Sequence, residues 1–151
     1  MDLGLNGKVA MITGGSRGLG NQAAGSLARE GCKISICARG LETLDAAVAE
    51  FTAQGYQVHG VQADVTGDGD AARFYNETVA KLGHPDILVN NVGGRRGSVV
   101  FEETTLEQFR EGLEVNLVSA FRLVALVLPH MKAQGWGRII NISSIYGREH
   151  G

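Results

Sequence analysis

KVAMITGGSRGLG, running from Lys8 to Gly20, decides the fold. Lys8–Thr13 is a short apolar run that reads as a buried strand. It gives way at once to a loop holding Gly14, Gly15, Gly18 and Gly20. From Gly18 to Glu30 the period changes: Leu19, Ala23, Leu27 and Ala28 share one helical face, and Gly31 stops the helix. Glycines between a strand and a helix let the backbone turn sharply and come close to a bound group. The helix then presents free N–H groups and a positive dipole end, which suits a pyrophosphate. No Gly-Lys-Ser/Thr follows, so the usual phosphate loop of NTPases is excluded.

The same alternation continues along the chain. Lys33–Cys37 is a second strand, and Leu41–Ala53 a helix with Leu41, Leu44, Val48 and Phe51 at helical spacing. Gln57–Gln62 is a third strand, and Asp70–Leu82 a helix closed by Gly83 and Pro85. Asp86–Asn90 is a fourth strand. Thr105–Gln134 is a long helical region, one helix or two meeting near Gly112, and Gly137–Ser143 is a fifth strand. Strand–helix alternation with nearly continuous apolar strands predicts an α/β domain over residues 1–151. Its core is a Rossmann-type doubly wound parallel sheet with helices on both faces.

Glycine is abundant, 22 of 151 residues, and proline is rare at 2, so the glycines serve a folded domain and not a disordered chain. A net charge of -2 leaves no basic surplus for a nucleic-acid backbone. Cys32 and Cys37 are spaced to point to opposite faces of a strand, and read as buried thiols of a reducing, cytoplasmic compartment. The histidines, His59, His84, His130 and His150, lack metal-ligand spacing, so no metal is expected. Trp136 is expected to pack at the start of strand five.

Leu113 to Leu128 is apolar except for Glu114, Asn116, Ser119 and Arg122. Those polar residues interrupt the apolar run, and a membrane span is not expected. A helix this apolar is buried on both sides. One side packs on the sheet. The other needs a second cover, from later chain or from another subunit, and so points to a homo-oligomer.

Several segments then fall into one series. Thr13-Gly14-x-x-x-Gly18-x-Gly20 follows the first strand, Asp64-Val65 the third, Asn90-Asn91-Val92-Gly93 the fourth and Ile142-Ser143-Ser144 the fifth. Asn116 sits in the long helix within Val-Asn-Leu. Across the whole chain this series resembles the short-chain dehydrogenase/reductase family, including its 3-oxoacyl-acyl-carrier-protein reductases. The resemblance implies a strand order of 3-2-1-4-5. Family domains run to roughly 250 residues, so the chain corresponds to their amino-terminal portion, with the sheet ending at strand five.

The resemblance also assigns roles. Gly14, Ser16, Arg17, Gly18, Leu19 and Gly20 would cradle the pyrophosphate and its adjoining ribose. Asp64 would accept from the adenine amino group, with Val65 beside the ring. Asn91 and Gly93 would line the floor under the ribose, slightly crowded by Val92 in place of the usual alanine; Asn90 reads fairly as a strand-end cap. A carboxylate at the end of strand two would select NAD. That position is Ala38, and Arg39 follows. With Arg17 it suits the 2′-phosphate of NADP(H), the favoured cofactor; if Arg39 is only a surface arginine, NAD(H) is tolerated.

The family moves hydride between nicotinamide and a small-molecule carbonyl or alcohol. Asn116 matches its catalytic asparagine and Ser144 its serine, with Ser143 as the alternative. Its Tyr-x-x-x-Lys pair would begin about a dozen residues beyond Ser144, past Gly151; Tyr56, Tyr75 and Tyr146 lack a lysine at that spacing. The 151-residue chain alone is therefore expected to be inactive. Tyr146 is left as a neighbour of the substrate pocket, and Ile139, Ile140 and Ile142 are expected on an open sheet edge. Arg95 and Arg96 read first as a solvated loop and second as a receiver for an acyl carrier protein or a carboxylate. The competing reading is a non-catalytic dinucleotide-binding or interaction module.

Overall fold

The computed structural model describes residues 3–98 and 100–144. Five strands, β1 (Val9–Thr13), β2 (Lys33–Ala38), β3 (Val58–Gln62), β4 (Ile87–Asn90) and β5 (Arg138–Asn141), form one sheet in the order β3-β2-β1-β4-β5. Every neighbouring pair is parallel. Helices α1 (Gly18–Arg29), α2 (Leu41–Ala53), α3 (Asp68–Leu82), α4 (Leu106–Leu113) and α5 (Ser119–Ala133) fill the crossovers. This is the α/β, Rossmann-type architecture and strand order read from the sequence.

The central strand β1 is buried throughout, and its residues alternate between two cores. Ala10 and Ile12 join Ile34, Ile36, Ile87 and Val89 beneath α1 and α2, where Ala24, Leu44 and Phe51 close the layer. Met11 joins Val61, Leu88, Phe74, Leu123 and Val127 beneath α3 and α5. Each such Leu, Ile or Phe contributes about 1.5–3 kcal/mol on burial. Cys32 belongs to the first core and Cys37 to the second, so the two free thiols lie on opposite faces.

Most boundaries fall within one residue of expectation; those of α3 and β5 do not. Helix α3 starts at Asp68 and not Asp70, because a turn winds the chain early: Thr66 N and Oγ1 donate to Asp64 Oδ1 (3.1 and 2.7 Å), and Gly67 N to Asp64 O (2.9 Å). Strand β5 stops at Asn141, opposite the last residue of β4, although Ile142 N still donates to Asn90 O. The long helical region divides near Gly112, as expected: α4 ends at Leu113, and a π-helical turn over Glu114–Val118 joins it to α5. A capping box of Thr105 and Gln108 opens α4.

By length and composition Leu106–Ala133 is a helical stretch able to cross a membrane. Here Leu123, Val127 and Met131 on one face of α5 bury into the second core, the position of a sheet-covering helix. The other face stays open, with Leu117 62% and Phe121 70% exposed. Burial on both sides, expected from the sequence, is thus met on one side within this chain.

Trp136 packs against the first core just before β5, with Lys8 Nζ 4.4 Å and the Arg138 guanidinium 4.7 Å from its ring centre. Strand β5 is an edge of the sheet: Ile139 leans on the second core, while Ile140 and Ile142 are exposed. The expectations on Tyr146 and His150 lie outside the described residues.

Candidate cofactor-binding site

A cleft of about 660 Å³ opens where the carboxyl ends of the strands part. In an open parallel sheet the crevice forms where the strand order reverses, here between β1, with β2 on one side, and β4 on the other. The loop after β1 supplies Gly14, Ser16, Arg17 and Gly18 to its wall. Ala38 and Arg39 come from the end of β2, Asp64, Val65 and Thr66 from the end of β3, and Asn91, Val92 and Gly93 from the end of β4.

Backbone geometry makes the loop. Gly18 has φ +58°, where an L side chain is strained, and a Cβ there would meet nothing: its outer side is open space. A Cβ on Gly20 would lie 2.4 Å from the carbonyl oxygen of Gly14. Gly20 is therefore the packing glycine that lets α1 press on the loop, and it sits behind the cleft wall. The N-cap of α1, Arg17, is extended and exposed, and its side chain makes no cap hydrogen bond. The first amides of that helix thus lack an internal partner.

The floor is tied to the loop from behind. Asn91 Nδ2 donates to the carbonyls of Thr13 (3.0 Å) and Gly14 (3.3 Å), and Thr13 Oγ1 accepts the amides of Asn91 and Val92, both at 2.9 Å. On the β3 side, Asp70 Oδ2 accepts the amide of Asp64 (2.8 Å), and Arg73 Nη2 bonds Asp70 Oδ1 (2.8 Å) and the Gln62 carbonyl (2.6 Å). The Asp64 amide first, and Arg73 second, hold the Asp70 carboxyl below its ordinary value. Arg39 Nη1 stands 4.0 Å from Asp64 Oδ2, with both side chains exposed. Beneath the loop, burial raises the Cys37 thiol to about 12.

The remaining expected residues sit around this wall. Leu19 is exposed on the first turn of α1 and does not line the cleft. Asn116 lies on the π-helical turn behind Gly93: its Oδ1 accepts from Gly94 N (2.9 Å), and its Nδ2 donates to the carbonyls of Gly94 (2.7 Å) and Gly112 (2.8 Å). Ser143 and Ser144 are exposed just after β5, on the same carboxyl edge, outside the cleft lining. Sequence reading missed Gly40, Thr43, Thr66, Glu111, Glu114 and Val115. Thr43 Oγ1 reaches Ser16 Oγ at 3.5 Å across the gap between α2 and the loop. Among the described residues no three His, Cys, Asp or Glu converge as a metal site would require.

Known proteins share this arrangement. Residues 8–151 match the family described as short chain dehydrogenase. The chain belongs to that family. L-fucose dehydrogenase of Rattus norvegicus is 37% identical over 142 residues, which are 94% of this chain and 51% of the rat protein. Among solved structures, a 7α-hydroxysteroid dehydrogenase complexed with NADH superposes with a TM-score of 0.89 at 30% identity, over 97% of this chain and 57% of that one. An actinorhodin polyketide ketoreductase with NADPH gives 0.89 at 33%, over 95% and 56%. The chain spans about half the length of the curated relatives it matches.

Proposed function

We propose that the full-length protein is an NADP(H)-dependent oxidoreductase acting on a small-molecule carbonyl or alcohol. The observation that carries this reading is the end of β2, where Ala38 and Arg39 line the cleft beside Arg17, and no carboxylate stands on that strand to claim a ribose 2′-hydroxyl. The Arg39–Asp64 pair is exposed, worth about 0–1 kcal/mol, so the guanidinium turns to a 2′-phosphate at little cost. The first turn of α1, with no cap hydrogen bond from the Arg17 side chain, fits a pyrophosphate.

When bound, the nicotinamide supplies or accepts the hydride. The chain's own residues do the holding. Gly14, Ser16, Arg17 and Gly18 orient the pyrophosphate, Asp64 and Val65 the adenine, and Asn91 and Gly93 the ribose. Asn116 fixes the backbone of Gly94 and the π-helical turn on the β4 side of the cleft, and Ser144 stands on the same edge to hold the substrate oxygen. None of Tyr56, Tyr75 and Tyr146 has a lysine four residues on to complete the acid/base pair, so the 151-residue chain alone is expected to turn over no substrate. The open α4–α5 face serves a homo-oligomer. Free thiols held on opposite faces suit the cytoplasm.

The test is titration of the full-length protein with NADPH and with NADH. NADPH is expected to bind at least about tenfold more tightly, and Arg39→Ala to close most of that gap by weakening NADPH. Equal affinity for the two rejects the cofactor choice. Failure of folded protein to bind either nucleotide rejects the oxidoreductase reading and leaves an interaction module.

A further inference from the structure

Resting on the reading above, we propose that Arg96 receives the carboxylate of an anionic substrate, making this an oxidoreductase of oxo acids and hydroxy acids. Arg17 and Arg39 mark the β1–β2 side of the cleft, and Arg96 lines its β4–α4 side. A dinucleotide crosses such a crevice from one side to the other, so a cation on the β4 side is left for whatever meets the nicotinamide.

Arg96 is placed for that task. Its Nη1 donates to the Arg95 carbonyl at 3.1 Å, and it makes no ion pair among the described residues. A planar guanidinium with its other donors uncommitted takes a carboxylate in a two-pronged grip. It stands beside α4, where a Cβ built on Gly112 would lie 3.9 Å from Arg96 Cβ, an ordinary contact distance. Two acids line the same end of the cleft, Glu111 and Glu114. Glu114 is committed to Arg122. Glu111 is left unpaired among the described residues, and its charge opposes an incoming anion. Arg95, next in sequence, does not line the cleft, so the two arginines of this loop have different roles.

The experiment uses the full-length protein with NADPH. Pyruvate, 3-oxobutanoate and 4-oxopentanoate are each compared with their methyl esters, and the readout is the ratio of kcat/KM for acid over ester. Wild type is expected to prefer at least one acid. Arg96→Ala is expected to lower that ratio by about tenfold or more through KM, with Arg96→Lys recovering part of it. Glu111→Gln, which leaves the fold of an exposed helix face intact, is expected to raise the ratio. A wild type that reduces esters and not acids overturns the assignment, as does a fall under tenfold in Arg96→Ala or a ratio unmoved by Glu111→Gln. A rise in NADPH Kd in Arg96→Ala that accounts for the loss transfers the residue to the cofactor and also overturns it. Reduction of any ester leaves the oxidoreductase reading standing, whatever Arg96 does.

Discussion

Thr13 and Asn91 hold each other twice: Asn91 N donates to Thr13 Oγ1 at 2.9 Å, and Asn91 Nδ2 donates to the Thr13 carbonyl at 3.0 Å. Thr13 is buried, so its hydroxyl is the means by which β1 and β4 end in register. Thr13→Val keeps the shape and removes the acceptor, leaving two amides short of a partner. It is expected to cost about 1–3 kcal/mol in denaturant unfolding and to weaken NADPH binding, with Thr13→Ser close to wild type. Equal stability of Thr13→Val and wild type would show that the hydroxyl is dispensable.

Gly20→Ala tests the contact between α1 and the loop. The added methyl would lie 2.4 Å from the Gly14 carbonyl oxygen and 2.6 Å from Asn91 Nδ2, neither of which retreats without moving the loop. Overpacking of this kind costs about 1–3 kcal/mol. A lowered Tm together with a raised NADPH Kd is the expected pair of results. Unaltered nucleotide affinity would place the loop elsewhere than at the pyrophosphate.

The Asp70 carboxyl is held below its ordinary value by the Asp64 amide and Arg73. The folded state therefore gains from its ionised form at neutral pH, and that gain disappears as pH falls from the ordinary aspartate range through the depressed folded value. Asp70→Asn should be less stable than wild type at pH 7, with the gap in Tm narrowing in acid. A Tm gap independent of pH would remove the electrostatic explanation.

Burial raises Cys37 from 9.0 to about 12. Well below pH 9 folded and unfolded thiols are both protonated. As pH rises toward 12 the unfolded thiol ionises first, so this residue's share of stability falls over that interval. Native protein at pH 8 should leave Cys37 unmodified by iodoacetamide in peptide mass spectra, with labelling only after denaturation. Prompt labelling of the native thiol would mean that the loop opens readily.

Leu117 and Phe121 are large, apolar and exposed on the open side of the helix pair. Contiguous apolar exposure of this kind marks a contact surface. In the full-length protein, Leu117→Glu with Phe121→Glu should reduce the mass measured by light scattering to that of a monomer. An unchanged oligomer would assign its contacts to other elements.

Most of the architecture was legible because buried parallel strands are short apolar runs, as Val9–Thr13 and Ile87–Asn90 are, and because glycine punctuates the elements between them. The cleft-lining residues at the strand ends were legible for the same reason: they follow strands. The π-helical turn at Glu114–Val118 was not, since one extra residue per turn leaves no mark on an apolar pattern. Thr43, Thr66 and Glu111 carry no local signal either. They reach the cleft only through the order in which strands lie side by side. Leu19, named for its place in the motif, stands exposed on α1 outside the cleft lining.

The two cores meet only through strand backbones, since odd and even positions of β1 serve different layers. Arg17 and Arg39 flank the layer under α1 and α2, while Asn116 and Arg96 belong with α4 and α5. On the proposed reading, nucleotide choice and substrate choice rest on separate mechanical supports. Repacking beneath one should leave the other's geometry nearly untouched, so this fold lets either preference drift without retuning its counterpart.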